Sequence, residues 1–292
     1  VLLVGMCFVP ETPRWLLSKG RLKECRKVLQ KIEPENTVND LIGQMEVEIE
    51  KDRNSAVGWR YLMQPWLRTP LMIAVCIMFF QQFVGINTVI YYSPKIFLMA
   101  GFESTLSAIW ASVGIGIVNV VFTVISLYLV DRIGRRKLYF IGLSGIAFSV
   151  LCLSACFIYA NQLGEIGRWL MVIFMFGYVA FFAISIGPLG WLVISEIFPQ
   201  KVRGLGTSIG SLAVWIFNCI VSFTFFKIID FFSIPGTEIV VGQTTSENPA
   251  GAFFLYGFIA VLGLVWGYLF LPETKGLSLE EIEQKWRKNR EC

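Results

Sequence analysis

The sequence predicts an all-α membrane protein, and three observations support this fold class. Hydrophobic residues make up 55% of the 292 residues and charged residues only 16%, which excludes an ordinary soluble domain and a disordered chain. The apolar residues are concentrated in six runs, most of them separated by short polar connectors. Each run has about 20 residues or more, the helical length that crosses a hydrocarbon core of about 30 Å. The predicted spans are residues 71–100, 106–130, 138–160, 169–195, 206–229 and 250–271.

The chain outside these spans divides into three parts. Residues 1–9 are apolar but too few to cross a membrane, and we interpret them as the end of a transmembrane helix. Residues 10–69 are charged, with apolar residues spaced as in short amphipathic helices, so we expect a helical cytoplasmic linker; an unstructured linker is the alternative. The six spans then occupy 70–271, and residues 272–292 form a cytoplasmic tail.

The distribution of positive charge predicts the orientation. Of the 25 Lys and Arg residues, 22 lie in connectors on one side of the predicted membrane, and only Lys95, Arg168 and Lys227 lie elsewhere. Such an excess marks the cytoplasmic side. We therefore expect a multi-pass protein of the lipid bilayer, in the plasma (inner) membrane, with a cytoplasmic C-terminus.

The first span carries three amide side chains, those of Gln81, Gln82 and Asn87. Lipid offers no hydrogen bonds, so a buried amide needs a neighbouring helix, a wet cavity or a bound polar ligand. On a straight helix Gln82 and Asn87 lie about 140° apart, so either the cavity surrounds the helix or the helix breaks near Gly85–Thr88. Amides that only tie helices together are the alternative, but three in one span favour a polar binding site.

A second span is also interrupted, by Gly187-Pro188-Leu189-Gly190 within residues 169–195. Each interrupted span opens a set of three, and the two sets lie in opposite membrane orientations. This pattern predicts two inverted three-helix repeats with a binding site near mid-membrane, as in transporters. The recurrence of Pro-Glu-Thr at 10–12 and 272–274 also indicates two related units.

Other polar and aromatic residues within the spans are weaker candidates. Asn119 is a further amide, in the second span. Trp191 and Trp215 lie within spans rather than at their ends, where an aromatic ring stacks on the apolar face of a sugar-like ligand. Plain helix packing is the alternative for both tryptophans.

The cytoplasmic ends of two spans carry opposite charges. Asp131, Arg135 and Arg136 end one span, and Glu196 with Arg203 ends another. Because guanidinium and carboxylate groups pair through two parallel hydrogen bonds, we predict that Arg135 or Arg136 contacts Glu196 in an inner latch. The alternative is that these charges only set the topology.

Several function classes are excluded by what the chain lacks. It has no histidine, and its seven cysteines show no paired spacing, so we expect no metal site and no disulfide framework. No nucleophile motif and no buried acid pair are present, so we do not expect an enzyme. We expect no cofactor and no nucleic-acid partner.

The chain resembles the sugar porter family of the major facilitator superfamily over nearly all of its length. The resemblance is carried by PETPRWL at 10–16, QQFVGIN at 81–87, YYSP at 91–94, DRIGRR at 131–136, GPLGWLVISEIFPQKVRG at 187–204 and PETKG at 272–276. It implies two six-helix bundles, alternating access between them, and a hexose or pentose bound at their interface. This chain is similar to the C-terminal bundle, so residues 1–9 would end the sixth transmembrane helix and an N-terminal six-helix bundle would be its partner.

The resemblance also implies roles for single residues. The sugar would be bound by Gln81, Gln82, Asn87, Asn119, Trp191 and Trp215. Tyr91 and Tyr92 resemble an outer gate. The inner latch would comprise Asp131, Arg135, Arg136, Glu196 and Arg203. Two residues depart from the family pattern, because Val214 stands where many relatives have Asn or Gln and Ala183 stands where several have Glu.

The functional expectation is transport of a monosaccharide, with sugar–proton symport preferred. A uniporter without proton coupling and a transporter-like sugar sensor are the alternatives. No Asp or Glu lies near the centre of any span, so in a symporter the proton-carrying group would lie outside this chain.

Overall fold

The computed structural model describes residues 10–53, 62–102, 104–232, 239–241 and 244–276. The expectations for residues 1–9 and for most of the tail fall outside these ranges. The chain divides into two units, Val1–Arg60 and Tyr61–Cys292.

Among its described residues the first unit contains three helices: α1 (Pro13–Ser18), α2 (Leu22–Leu29) and α3 (Glu35–Arg53). Pro13 begins α1, where its fixed φ fits and its missing N–H leaves no hydrogen bond unmade. The apolar faces of the three helices form a small core of Leu16, Leu17, Cys25, Leu29, Val38 and Ile42. Its cytoplasmic location remains a prediction.

The second unit contains eight helices among the described residues, which form six apolar stretches long enough to span a membrane. After a 3-10 turn at Pro65–Leu67 they are α4 (Arg68–Phe83), α5 (Ile86–Met99), α6 (Thr105–Ile133), α7 (Arg135–Ile158), α8 (Ala160–Ile184), α9 (Ile186–Ile197), α10 (Gln200–Phe231) and α11 (Ala250–Phe270). The pairs α4–α5 and α8–α9 each form one interrupted span. The predicted all-α membrane fold is confirmed.

Helix α7 lies at the centre of this unit, between α8 and α11. Helix α6 packs on α5 and α8, whereas α10 packs mainly on α4. Only 17% of the most apolar part of α6 is buried, against 67% for α4–α5. Because large exposed apolar faces need lipid or another protein surface, α6 marks an outer face of the bundle.

Two connectors differ from expectation. Residues 161–168 are helical rather than a loop, and Gly164 absorbs a kink inside α8 at φ 53°. The connector between α10 and α11 contains two short antiparallel strands, β1 (Ile239–Val241) and β2 (Thr244–Ser246). This strand pair was not predicted from the sequence.

The break in the first span is where the sequence allowed it. Helix α4 ends at Phe83, Gly85 adopts a left-handed φ of 87°, and α5 begins at Ile86. The carbonyl group of Val84, at the break, accepts a hydrogen bond from Tyr178 Oη at 2.9 Å. The carbonyl group of Gly85 accepts from the N–H of Val89 at 3.3 Å and from Thr88 Oγ1 at 2.7 Å. The break is therefore a satisfied feature of the fold.

The break in the second span lies earlier than predicted. It is at Ser185, with φ −128° and ψ −103°, whereas Gly187–Gly190 belong to the start of α9. The placement at Gly187–Gly190 was wrong because Pro188 is tolerated in the first turn, where backbone N–H groups have no intrahelical acceptor.

Candidate functional site

Four amide side chains from three helices line one cavity of about 280 Å³ in the second unit. They are Gln81, Gln82, Asn87 and Asn119, which the sequence analysis had grouped. The volume is at the low end of small-molecule sites, about 300–1,000 Å³. The remaining lining residues are Ile86, Ile90, Thr123, Phe182, Ala183, Gly187, Pro188, Trp191 and Val214. None of the lining residues carries a charge, so the cavity suits a neutral ligand.

The break at Gly85 explains how amides far apart on a straight helix share this cavity. Gln82 lies at the end of α4 and Asn87 in the first turn of α5. Because the chain changes direction between them, Asn87 Nδ2 comes within 2.6 Å of Gln82 Oε1. Of the two possibilities that the sequence left open, the broken helix is the one observed.

The amides also connect the two interrupted spans. Gln82 Nε2 donates to Gln81 Oε1 at 3.1 Å. Gln81 Nε2 in turn donates to the carbonyl oxygens of Ile186 at 3.1 Å and Gly187 at 2.7 Å. Both carbonyl groups lie in the first turn of α9, directly after its break. The polar groups of both breaks thus belong to one hydrogen-bonded chain.

The two predicted tryptophans are placed differently. Trp191 lines the cavity, and 42% of its surface is exposed. Trp215 does not line it and is 67% exposed, whereas the preceding residue, Val214, does line it. Ala183 lines the cavity too, so both departures from the family pattern lie at this site.

The predicted gate tyrosines join α5 to α10. Asn218 Nδ2 donates to Tyr91 Oη at 3.4 Å, and Tyr92 Oη donates to the carbonyl oxygen of Ser222 at 3.4 Å. Tyr92 also stacks on Phe225, with ring centroids 5.4 Å apart. Both tyrosines therefore contact α10 from α5.

Of the two arginines predicted to meet Glu196, Arg135 makes the contact. Its Nη2 lies 2.8 Å from Glu196 Oε1, and the two side chains are only 13% and 19% exposed. Asp131 contacts the other side of Arg135 at 3.4 Å but is 80% exposed. Arg136 instead donates through Nη2 to the carbonyl oxygen of Tyr268 at 2.8 Å.

Arg203 takes no part in these contacts. Its Nε and Nη2 atoms are buried, and neither has a hydrogen-bond partner among the described residues. A buried guanidinium needs partners for its donors. The described part of the chain does not supply them to these two atoms.

Comparison with known proteins decides the family. The model of the family described as "Sugar (and other) transporter" matches residues 1–286. This chain belongs to that family. It is therefore a member of a transporter family and a multi-pass membrane protein.

Two bacterial sugar transporters are among the relatives of this chain. The glucose transporter GlcP of Staphylococcus epidermidis is 36% identical over 98% of this chain and 60% of its own length. The D-xylose-proton symporter of Escherichia coli K12 is 34% identical over 95% of this chain and 53% of its own length. The chain thus spans little more than half the length of the relatives it matches.

A solved structure agrees with this assignment. The proton:xylose symporter XylE bound to 6-bromo-6-deoxy-D-glucose matches 97% of the chain and 56% of its own length, with 33% identity and a TM-score of 0.72. The family assignment therefore rests on both sequence and fold.

Two contacts at the predicted latch were not expected from the sequence. Thr274 Oγ1 donates to Glu196 Oε2 at 2.5 Å, and Glu273 accepts the backbone N–H groups that begin α7. The Pro-Glu-Thr repeat was the available signal, but it was interpreted as a mark of duplication rather than as part of a contact.

Proposed function

We propose that the complete protein transports a neutral monosaccharide, a hexose or a pentose, across a membrane by alternating access. The observation that carries the proposal is the uncharged cavity lined by four amides beside two interrupted spans. Broken helices at corresponding places in two repeats are typical of transporter sites.

Amide side chains suit this substrate class. Each amide has both donors and an acceptor, so Gln and Asn satisfy hydroxyl groups in either role. The aromatic ring of Trp191 supplies a flat apolar surface for a sugar ring. A carboxylate in the lining would favour cations instead, and the lining has none. Trp215 remains a proposed contact, made across the interface with another part of the complete protein.

A second six-helix bundle completes the proposed transporter. Support comes from the relatives, of which this chain matches 53–60%. We place the bundle on the amide side of the cavity, with Tyr91 and Tyr92 as outer gate. The charges at Arg135 and Glu196 form the inner latch on the cytoplasmic side. The C-terminus lies on the same side, and the host membrane is the plasma membrane.

Sugar–proton symport is the preferred coupling mode, because one relative is a D-xylose-proton symporter. A uniporter is the second candidate. The uncharged cavity lining favours neither mode, since in a symporter the titrating carboxylate would lie outside the described residues.

The test is uptake of labelled D-glucose and D-xylose by proteoliposomes that contain the complete protein. We expect saturable uptake, accelerated by an inward proton gradient in the symport case and unaffected in the uniport case. Gln82→Ala is expected to reduce uptake at least about tenfold. The matched control is Gln162→Ala, which removes an exposed amide outside the cavity. A sensor without transport would bind sugar in the same protein but show no uptake.

A further inference from the structure

The first unit carries charges of opposite sign on two successive segments. Residues 10–31, which contain α1 and α2, hold seven Lys and Arg residues but only two Glu. Residues 33–53, which contain α3, hold seven Asp and Glu residues but only two Lys and Arg. All seven basic side chains of residues 10–31 are exposed. Helices α1 and α2 therefore present a strongly positive surface.

Four lysines form the outer edge of this surface, and they recur at every fourth residue: Lys19, Lys23, Lys27 and Lys31. Lys23 and Lys27 lie on α2, and each is two positions from the fully buried Cys25. At about 100° per residue, both lie about 160° from Cys25 around the helix, on the side away from the core of the unit. Lys19 precedes α2 and Lys31 follows it. These four residues are called the lysine edge below.

The lysine edge is not neutralised by its own surroundings. Arg21 pairs with Glu24 at 2.6 Å. By contrast, none of the four lysine amines has an ion pair or a hydrogen bond among the described residues. Like charges four positions apart on a helix, as at Lys23 and Lys27, repel each other and destabilise the helix. An anionic surface in contact with the edge would offset this repulsion.

Exposed apolar side chains accompany the positive charge. Trp15 of α1 and Leu22 of α2 are 40% and 41% exposed. Basic side chains beside exposed Trp and Leu are typical of helices that lie at a membrane interface. The sequence also places the edge close to a membrane, because the transmembrane helix that is predicted to end at residue 9 precedes Lys19 by only ten residues.

We infer that the lysine edge binds the anionic headgroups of membrane lipids, through contacts between its amines and the lipid phosphate groups. Clusters of about four to eight Lys and Arg residues beside a transmembrane helix are attracted to the negatively charged cytoplasmic leaflet. A lysine amine is a compact charge on a flexible stem, so it adapts to a mobile lipid surface. The inference does not depend on which solute crosses the membrane. It assigns to α2 a ligand class separate from the ligand of the cavity.

The experiment measures the rate at which each lysine of the complete protein is acetylated, with mass spectrometry as the readout. The protein is placed in nanodiscs of phosphatidylcholine, either alone or with about 30% phosphatidylglycerol, an anionic lipid. An amine held by a lipid phosphate reacts slowly because it keeps its proton and is covered. Lys227, an exposed lysine of α10, reports the general effect of a negative surface. We expect phosphatidylglycerol to slow the lysine edge at least about threefold more than Lys227.

Two double variants separate charge from structure. The first combines Lys23→Gln with Lys27→Gln, and it should abolish the extra slowing at Lys19 and Lys31, because two lysines alone attract the lipid less strongly. The second combines Lys23→Arg with Lys27→Arg, keeps the charge and should retain the extra slowing. Both variants change exposed side chains only. In phosphatidylcholine alone, their Lys19 and Lys31 should react as in the wild-type protein, which shows that the unit stays folded.

Three results overturn the inference. One is equal slowing of the lysine edge and Lys227 by phosphatidylglycerol, which would make the edge an ordinary solvated surface. Another is the full extra slowing in the Gln variant. The third is equal slowing, in phosphatidylcholine alone, by added inorganic phosphate or by a polyglutamate peptide. That result would assign the edge to a soluble phosphate or to an acidic protein partner instead of a lipid.

Discussion

The carboxylate of Glu273 accepts a hydrogen bond from the backbone N–H of Arg135 at 3.1 Å. It also accepts the N–H of Arg136 at 3.2 Å. These two residues begin α7, whose first N–H groups have no intrahelical partner. The segment after α11 therefore caps α7, and the negative charge complements the dipole at the N-terminus of that helix.

Removing this cap is expected to destabilise the bundle. Glu273→Ala should lower the free energy of unfolding by about 1–2 kcal/mol, since it removes both the acceptors and the charge. Glu273→Gln keeps one acceptor oxygen and should have a smaller effect. The measurement is the melting temperature of the complete protein in detergent. Glu165→Ala, which removes an exposed carboxylate of α8, should leave the melting temperature unchanged. Equal melting temperatures for all three variants would contradict the cap.

The Arg135–Glu196 ion pair is expected to contribute more to the free energy of unfolding than a shorter but exposed ion pair elsewhere in the chain. A double-mutant cycle with Arg135→Gln and Glu196→Gln should give a coupling energy of about 2 kcal/mol, because both side chains are largely shielded from solvent. Arg21 and Glu24 are closer, at 2.6 Å, but are 47% and 52% exposed. The same cycle on that pair should give a coupling near the limit of measurement. A larger coupling energy for Arg21–Glu24 would show that the strength of these ion pairs depends on the distance between the charges rather than on their burial.

Much of this fold was predictable because membrane spans follow from local composition. Apolar length predicted the six spans, and the cost of burying three amides in one span predicted a polar site at Gln81, Gln82 and Asn87. The pairing of a guanidinium with Glu196 followed from charge chemistry alone. Each of these predictions depends on a property of the residue itself.

The features that were not predicted depend on contacts between segments that are distant in the sequence. The cap by Glu273 joins residues 138 apart in the chain, and no local pattern distinguishes it from a surface carboxylate. Trp215 and Val214 are neighbours in sequence but point about 100° apart on a helix, so the rotation of α10 about its axis decides which of them lines the cavity. The break lies at Ser185 rather than at Gly187–Gly190. Gly and Pro are both tolerated in the first turn of a helix, so their presence does not by itself mark where the helix is interrupted.

Gly85 is expected to tolerate no side chain. Its φ of 87° is unfavourable for other residues by about 1–2 kcal/mol, and a Cβ atom there would lie 2.3 Å from the ring of Tyr256. Gly85→Ala should therefore lower the melting temperature by more than the unfavourable φ alone would, because the new methyl group also clashes with Tyr256. Gly20→Ala isolates the backbone term, because Gly20 has a φ of 74° and open space around it. Equal losses for the two variants would mean that Tyr256 moves aside freely.

A polar side chain at Val214 is expected to change sugar selectivity. Val214 lines the cavity and is 8% exposed, so that part of the wall offers no hydrogen bond to a sugar hydroxyl. Val214→Asn adds a donor and an acceptor there, and it should raise the preference for D-glucose over one of its deoxy analogues about tenfold, because the new amide stays unpaired when the hydroxyl is absent. Val214→Leu keeps the wall apolar and should leave that preference unchanged. The readout is the ratio of dissociation constants, and a ratio that moves equally in both variants would place the sugar away from Val214.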